Sequence, residues 1–81
     1  MAQVTSVVDA TVAWVQIANA SQKFFVTVQS GQVQLRYAST SPAAGDIGHE
    51  MRAGDTFGDT PTEKVWMRAS QDTAKVVLTK D

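Results

Sequence analysis

Apolar and polar side chains alternate with a period of two along most of the chain, as in strands whose successive residues face opposite sides of a sheet. The alternation is clearest over residues 24–37. Phe24, Val26 and Val28 share one face, Ser30-Gly31 supplies a turn, and Val33, Leu35 and Tyr37 resume the pattern against Gln32, Gln34 and Arg36. This stretch predicts a β-hairpin. Upstream, residues 4–8 and 11–18 are rich in β-branched side chains, with Asp9-Ala10 and residues 19–22 as turns. Val12 and Trp14 oppose Val15 and Ile17, so both faces of the second run are partly apolar. Such a strand is either central in its sheet or covered by a neighbouring subunit.

Residues 39–48, Ser-Thr-Ser-Pro-Ala-Ala-Gly-Asp-Ile-Gly, read as a long small-residue connection that spans the sandwich. A short strand over 49–53 follows, then a Gly54-Asp55 turn, an apolar anchor at Thr56-Phe57 and a second turn over 58–62. The last two strands, 63–69 and 74–80, alternate through Val65, Met67, Val76 and Leu78 across residues 70–73. Nothing repeats with helical period. Seven to eight short strands at about ten-residue spacing predict an all-β, antiparallel β-sandwich or jelly roll, because two sheets must bury their apolar faces on each other. Residues 1–81 form one domain. An echo between residues 33–38 and 65–69 reflects shared strand grammar rather than duplication.

Composition narrows the picture. A domain of 81 residues buries only about 60–65% of its unfolded surface, which makes oligomerisation plausible. With no cysteine, neither disulfides nor thiolate metal sites reinforce the core. Seven Lys plus Arg against eight Asp plus Glu give a net charge of −1 with no basic run, which argues against nucleic-acid binding. The opening Met1-Ala2-Gln3-Val4-Thr5-Ser6 lacks the pattern of a secretory leader, and no apolar run approaches membrane-spanning length. The chain is therefore expected to be made in the cytosol, soluble and off the membrane.

Candidate chemistry is sparse. His49 is the only histidine, and with Glu50 it falls short of the two or three histidines of a cupin-type metal site. Asp46, Asp55 and Asp59 each follow a glycine, and their spacing suits turns rather than a calcium loop. No nucleophile elbow or phosphate-binding glycine loop is present. The expectation is a noncatalytic protein with no cofactor and no metal. The candidate site residues are instead interface residues: Phe25, Arg36, Trp66 and Arg68. If Val65 and Met67 face the core, Trp66 and Arg68 face outward, and aromatic and Arg side chains are favoured at interfaces. Trp66 is then an interface residue or a platform for a sugar; in the reverse register it is core. Phe25, opposite Phe24, is either a second core layer or a subunit contact.

Residues 32–38, the loop over 41–49, Gly54-Asp55-Thr56-Phe57 and residues 64–69 together resemble small β-sandwich structural proteins of tailed bacteriophages, over about residues 14 to 79. The resemblance is one of strand pattern, without a signature motif. It implies a virion structural protein, assembled in the host cytoplasm, that decorates or cements the capsid as a homo-oligomer on the major capsid protein or other virion proteins. The alternative it implies is a tail or fibre module that binds a receptor or glycan through Trp66, Arg36 and Arg68. In either case residues 4–8 are a candidate strand to add to a partner's sheet.

Overall fold

The computed structural model describes residues 3–81. Met1 and Ala2, the start of the segment read above for a secretory leader, lie outside the described residues. Eight strands form: β1 (Val4–Ala10), β2 (Val15–Ala18), β3 (Phe24–Ser30), β4 (Gln32–Tyr37), β5 (His49–Arg52), β6 (Thr56–Asp59), β7 (Val65–Ala69) and β8 (Ala74–Lys80). They make two four-stranded antiparallel sheets, ordered β1-β8-β3-β6 and β2-β7-β4-β5. Among the described residues there is no helix.

The strand order has a simple logic. The first strand pairs with the eighth, the second with the seventh, the third with the sixth and the fourth with the fifth. A long hairpin bent at β4–β5 and rolled over itself gives this order, which is that of an eight-stranded jelly roll. The predicted sandwich is thus observed with its topology resolved.

Alternation sets the core. Phe24, Val26 and Val28 of β3 and Ala74, Val76 and Leu78 of β8 face Val33 and Leu35 of β4 and Val65, Met67 and Ala69 of β7, and all are buried. Among the described residues no polar or charged residue is buried with them. Each large apolar side chain so placed contributes about 1.5–3 kcal/mol. The Phe24 ring also lies 5.8 Å from that of Phe57, tilted by 55°.

Several expected connections differ. Residues 24–37 are not a hairpin, because β3 belongs to the first sheet and β4 to the second. Gly31, at φ +77°, turns the chain so that the apolar sides of the two strands face each other across the core. A Cβ at Gly31 would meet the Thr73 carbonyl oxygen at 2.9 Å, where the β7–β8 connection packs against this turn. Asp9 and Ala10 are no turn but the end of β1, opposite Lys75 and Ala74; the crossing falls at 11–14. The strand expected over 11–18 shrinks to 15–18 and is an edge strand, not a central one. Gly58 and Asp59 pair with Phe25 and Phe24 in β6 instead of forming a turn.

Residues 39–48 do not span the sandwich. They join β4 to its neighbour β5 within one sheet, and the crossing falls to the short turn 53–55, where Gly54 has φ +95°.

Candidate interaction surfaces

The loop over 39–48 folds back over the outer face of the second sheet, held by donors from that face. With Val65 and Met67 buried, β7 turns Trp66 and Arg68 outward. Trp66 pairs with Arg36 and Arg68 with Gln34 on β4, so the two segments whose patterns echo each other are sheet neighbours. The Trp66 indole Nε1 donates to the Ala38 carbonyl at 2.9 Å. The Arg68 guanidinium donates through Nη1 to Ala44 O and through Nη2 to Asp46 O, both at 2.6 Å, and through Nε to Gln34 Oε1 at 3.2 Å. It also lies 4.6 Å from the centre of the Trp14 ring, whose Nε1 donates to Ala43 O at 3.1 Å.

Arg36 completes the clamp, donating from Nη1 to Ile47 O at 2.5 Å. The loop leaves so close to β4 that a Cβ on Gly48 would sit 2.5 Å from Leu35 O. The guanidinium groups thus satisfy the Ala44, Asp46 and Ile47 carbonyls of a loop without secondary structure, and the Trp14 indole joins Asp46 N at Ala43 O. Trp14 lies in the crossing between the sheets and not in the strand expected over 11–18, so the alternation gives no sign of this role.

The outer face of the first sheet is built differently. By register, one row crosses it through Val7, Val77, Thr27 and Thr56, and the next through Thr5, Thr79, Phe25 and Gly58. Phe25 is 48% exposed. It lies against Gly58, where a Cβ would come within 2.8 Å of its ring. The Thr5 and Thr79 hydroxyls are 2.7 Å apart. Charge lies at the ends of the face, with Asp9 beside Lys75 at one and Asp81 bonded through its backbone to Lys23 at the other. Among the described residues no connection folds over these rows as the 39–48 loop folds over the other sheet.

The four candidate interface residues are therefore divided. Arg36, Trp66 and Arg68 meet on the second sheet, where most of their donor groups serve the chain itself; Phe25 stands on the open face of the first. The signal for that open face lay in the parity of the strands. Positions 5, 7, 25, 27, 77 and 79, outward on β1, β3 and β8, are all uncharged.

Between the sheets, where the edges of β5 and β6 part, Leu35, Tyr37, His49, Met51, Thr56 and Phe57 line a mainly apolar cleft of about 500 Å³. The Tyr37 hydroxyl donates to Asp59 Oδ2 at 2.7 Å, bridging the two sheets. Burial first, then the hydrogen bond and charge of Asp59, push its pKa well above the ordinary 10.0. His49 is exposed on β5, opposite Leu35. The aspartates of the three Gly-Asp pairs each accept a nearby backbone N–H, Asp46 from Ala43, Asp55 from Arg52 and Asp59, through its other oxygen, from Thr60. Among the described residues no three His, Cys, Asp or Glu side chains come together as a metal site.

No protein-family model matches the chain, and no curated protein matches it. In structure it is similar to protein NMB1881 from Neisseria meningitidis, with a TM-score of 0.65 over 96% of this chain and 72% of that one. At 12% sequence identity the likeness shows a common fold alone.

Proposed function

We propose that this domain is a noncatalytic virion structural protein, a decoration or cement protein that binds and stabilises the head of a tailed phage. It seats on the capsid with the outer face of the first sheet. The reading draws on the resemblance in strand pattern, and the observation that carries it is the contrast between the two outer faces. One is covered by its own loop; the other offers Phe25, Val7 and Val77 among threonines, with charge kept to the ends. A centre poor in charge with an aromatic anchor and a polar rim is the anatomy of a protein-binding surface.

Size fits as well. The molecule measures 35 × 26 × 16 Å, so its broad side offers a footprint of roughly 700 Å², near the ~800 Å² per partner of a stable interface. Repetition over many capsid sites would strengthen a modest single contact. The receptor or glycan reading gains less, because the polar groups of Trp66, Arg36 and Arg68 are largely engaged within the chain.

The test is cosedimentation with empty heads lacking the protein, run beside a screen of bacterial surface glycans. Saturable binding to heads, weakened about 30-fold or more by Phe25→Glu as for a hot-spot residue, supports the proposal. Glycan binding with none to heads sinks it.

A further inference from the structure

The four strand edges of the sandwich are not alike. β2 has four residues, and its register against β7 shifts between Gln16 and Ala18. β5 has four residues and carries Glu50 and Arg52; β6 has four and contains Gly58 and Asp59. Shortness, irregularity and charge are the means by which natural sheets keep their edges from pairing with other chains. β1 lacks them. It has seven residues, Val-Thr-Ser-Val-Val-Asp-Ala, with no proline, a single charge and an unbroken register against β8. Its free side presents a row of backbone N–H and C=O groups, with Val4 and Val7 61% and 60% exposed along it.

We infer that β1 pairs with β1 of a second copy, antiparallel and across a two-fold axis at Val7, joining two first sheets into one eight-stranded sheet. The strand itself selects this occupant. Antiparallel pairing of a strand with its own copy is isologous, so the same edge serves both sides. Core-facing side chains must lie opposite core-facing ones, which restricts partners to residues of the same parity. Of the registers that remain, the one centred on Val7 engages the whole strand. Val4 then meets Ala10, Thr5 meets Asp9, Ser6 meets Val8, and Val7 meets its own counterpart.

Charge agrees with this register. The two Asp9 carboxylates stand four residues apart along the paired strands, about 13 Å, beyond the ~8 Å screening length at physiological salt. Lys75, opposite Asp9 on β8, offsets that charge locally. The uncharged row through Val7, Val77 and Thr27 runs on from one copy into the next. The pairing does not depend on capsid binding.

Light scattering across a dilution series tests it. The expected mass is twice 8.7 kDa at high concentration, falling to 8.7 kDa on dilution, because a contact along one strand is smaller than a standard interface. Val7→Lys sets like charges opposite each other at the axis. That variant should stay at 8.7 kDa and keep the wild-type circular dichroism, since the site is exposed, and its melting temperature should match the wild type's at dilution, where both are monomers.

Register is read by crosslinking, since the chain has no cysteine of its own. Facing residues of an antiparallel pair have Cα atoms about 4.5–5.5 Å apart, within reach of a disulfide. Val7→Cys should therefore link to its own copy on mild oxidation, whereas Thr5→Cys, opposite Asp9, should not. A wild type of 8.7 kDa at every concentration, a Val7→Lys variant that still dimerises, or equal crosslinking at both positions overturns the pairing. Phe25→Glu keeps the two proposals apart: it should weaken binding to heads about 30-fold or more and leave the dimer mass unchanged.

Discussion

Arg68 shows how one side chain can organise a loop of ten residues. Its two Nη groups hold the 39–48 connection through Ala44 O and Asp46 O, while Nε bonds Gln34 of β4 and the guanidinium stacks on Trp14, so it acts as the hub of a small network. Arg68→Ala is expected to cost about 1–2 kcal/mol, since the released carbonyls return to water, and to lower the melting temperature of so small a domain by roughly 5–10 °C. Hydrogen exchange over residues 43–47 should quicken at the same time. Arg68→Lys should restore little, because an ammonium cannot reproduce the planar fork. Tyr37 offers a second test at this scale. Its raised pKa means that the unfolded chain ionises first; the stability due to the neutral phenol is intact below about pH 10 and is lost as pH rises through the folded-state pKa. As the only tyrosine, it can be followed by phenolate absorbance, and Tyr37→Phe should lessen the fall in urea midpoint between about pH 9 and pH 11.

At the scale of elements, the strands were largely legible in the sequence and their partners were not. Alternation says which side of a strand is apolar but is silent on what pairs with its edges. The stretch 24–37 therefore read as a hairpin, although its two halves lie in different sheets and meet through their side chains. The outward direction of Trp66 followed from the burial of Val65 and Met67, and that half of the site was legible. The clamping of Arg36 and Arg68 onto the carbonyls of a distant loop was not, because it depends on carbonyl positions that no residue pattern encodes. Two glycines test the tightness of the turn at Gly31. Gly31 and Gly54 both have positive φ, but a Cβ at Gly31 meets backbone and side-chain atoms at about 3 Å, whereas one at Gly54 meets nothing within 4 Å. Gly54→Ala should cost about 1 kcal/mol from conformation alone. Gly31→Ala should cost distinctly more, about 2–3 kcal/mol, with urea midpoints giving the comparison.

For the whole molecule, nested pairing has kinetic consequences. β4 and β5 are joined within one sheet, while β1 and β8 meet across nearly the whole chain, so closing the outer pair carries the largest loop-entropy cost. Folding should take milliseconds to seconds. Truncations at the bend, such as Val33→Ala, should slow refolding, and those at the outer pair, such as Val76→Ala, should mainly speed unfolding, as stopped-flow chevrons would show. The same nesting brings the start of β1 and the end of β8 together, with Val4 opposite Lys80 on one side of the first sheet. As a scaffold, the domain would present passengers fused to either end side by side, and a few residues of linker would close it into a ring. The exposed turn at Gly54, far from that junction in sequence, is then the natural place to open a permuted chain.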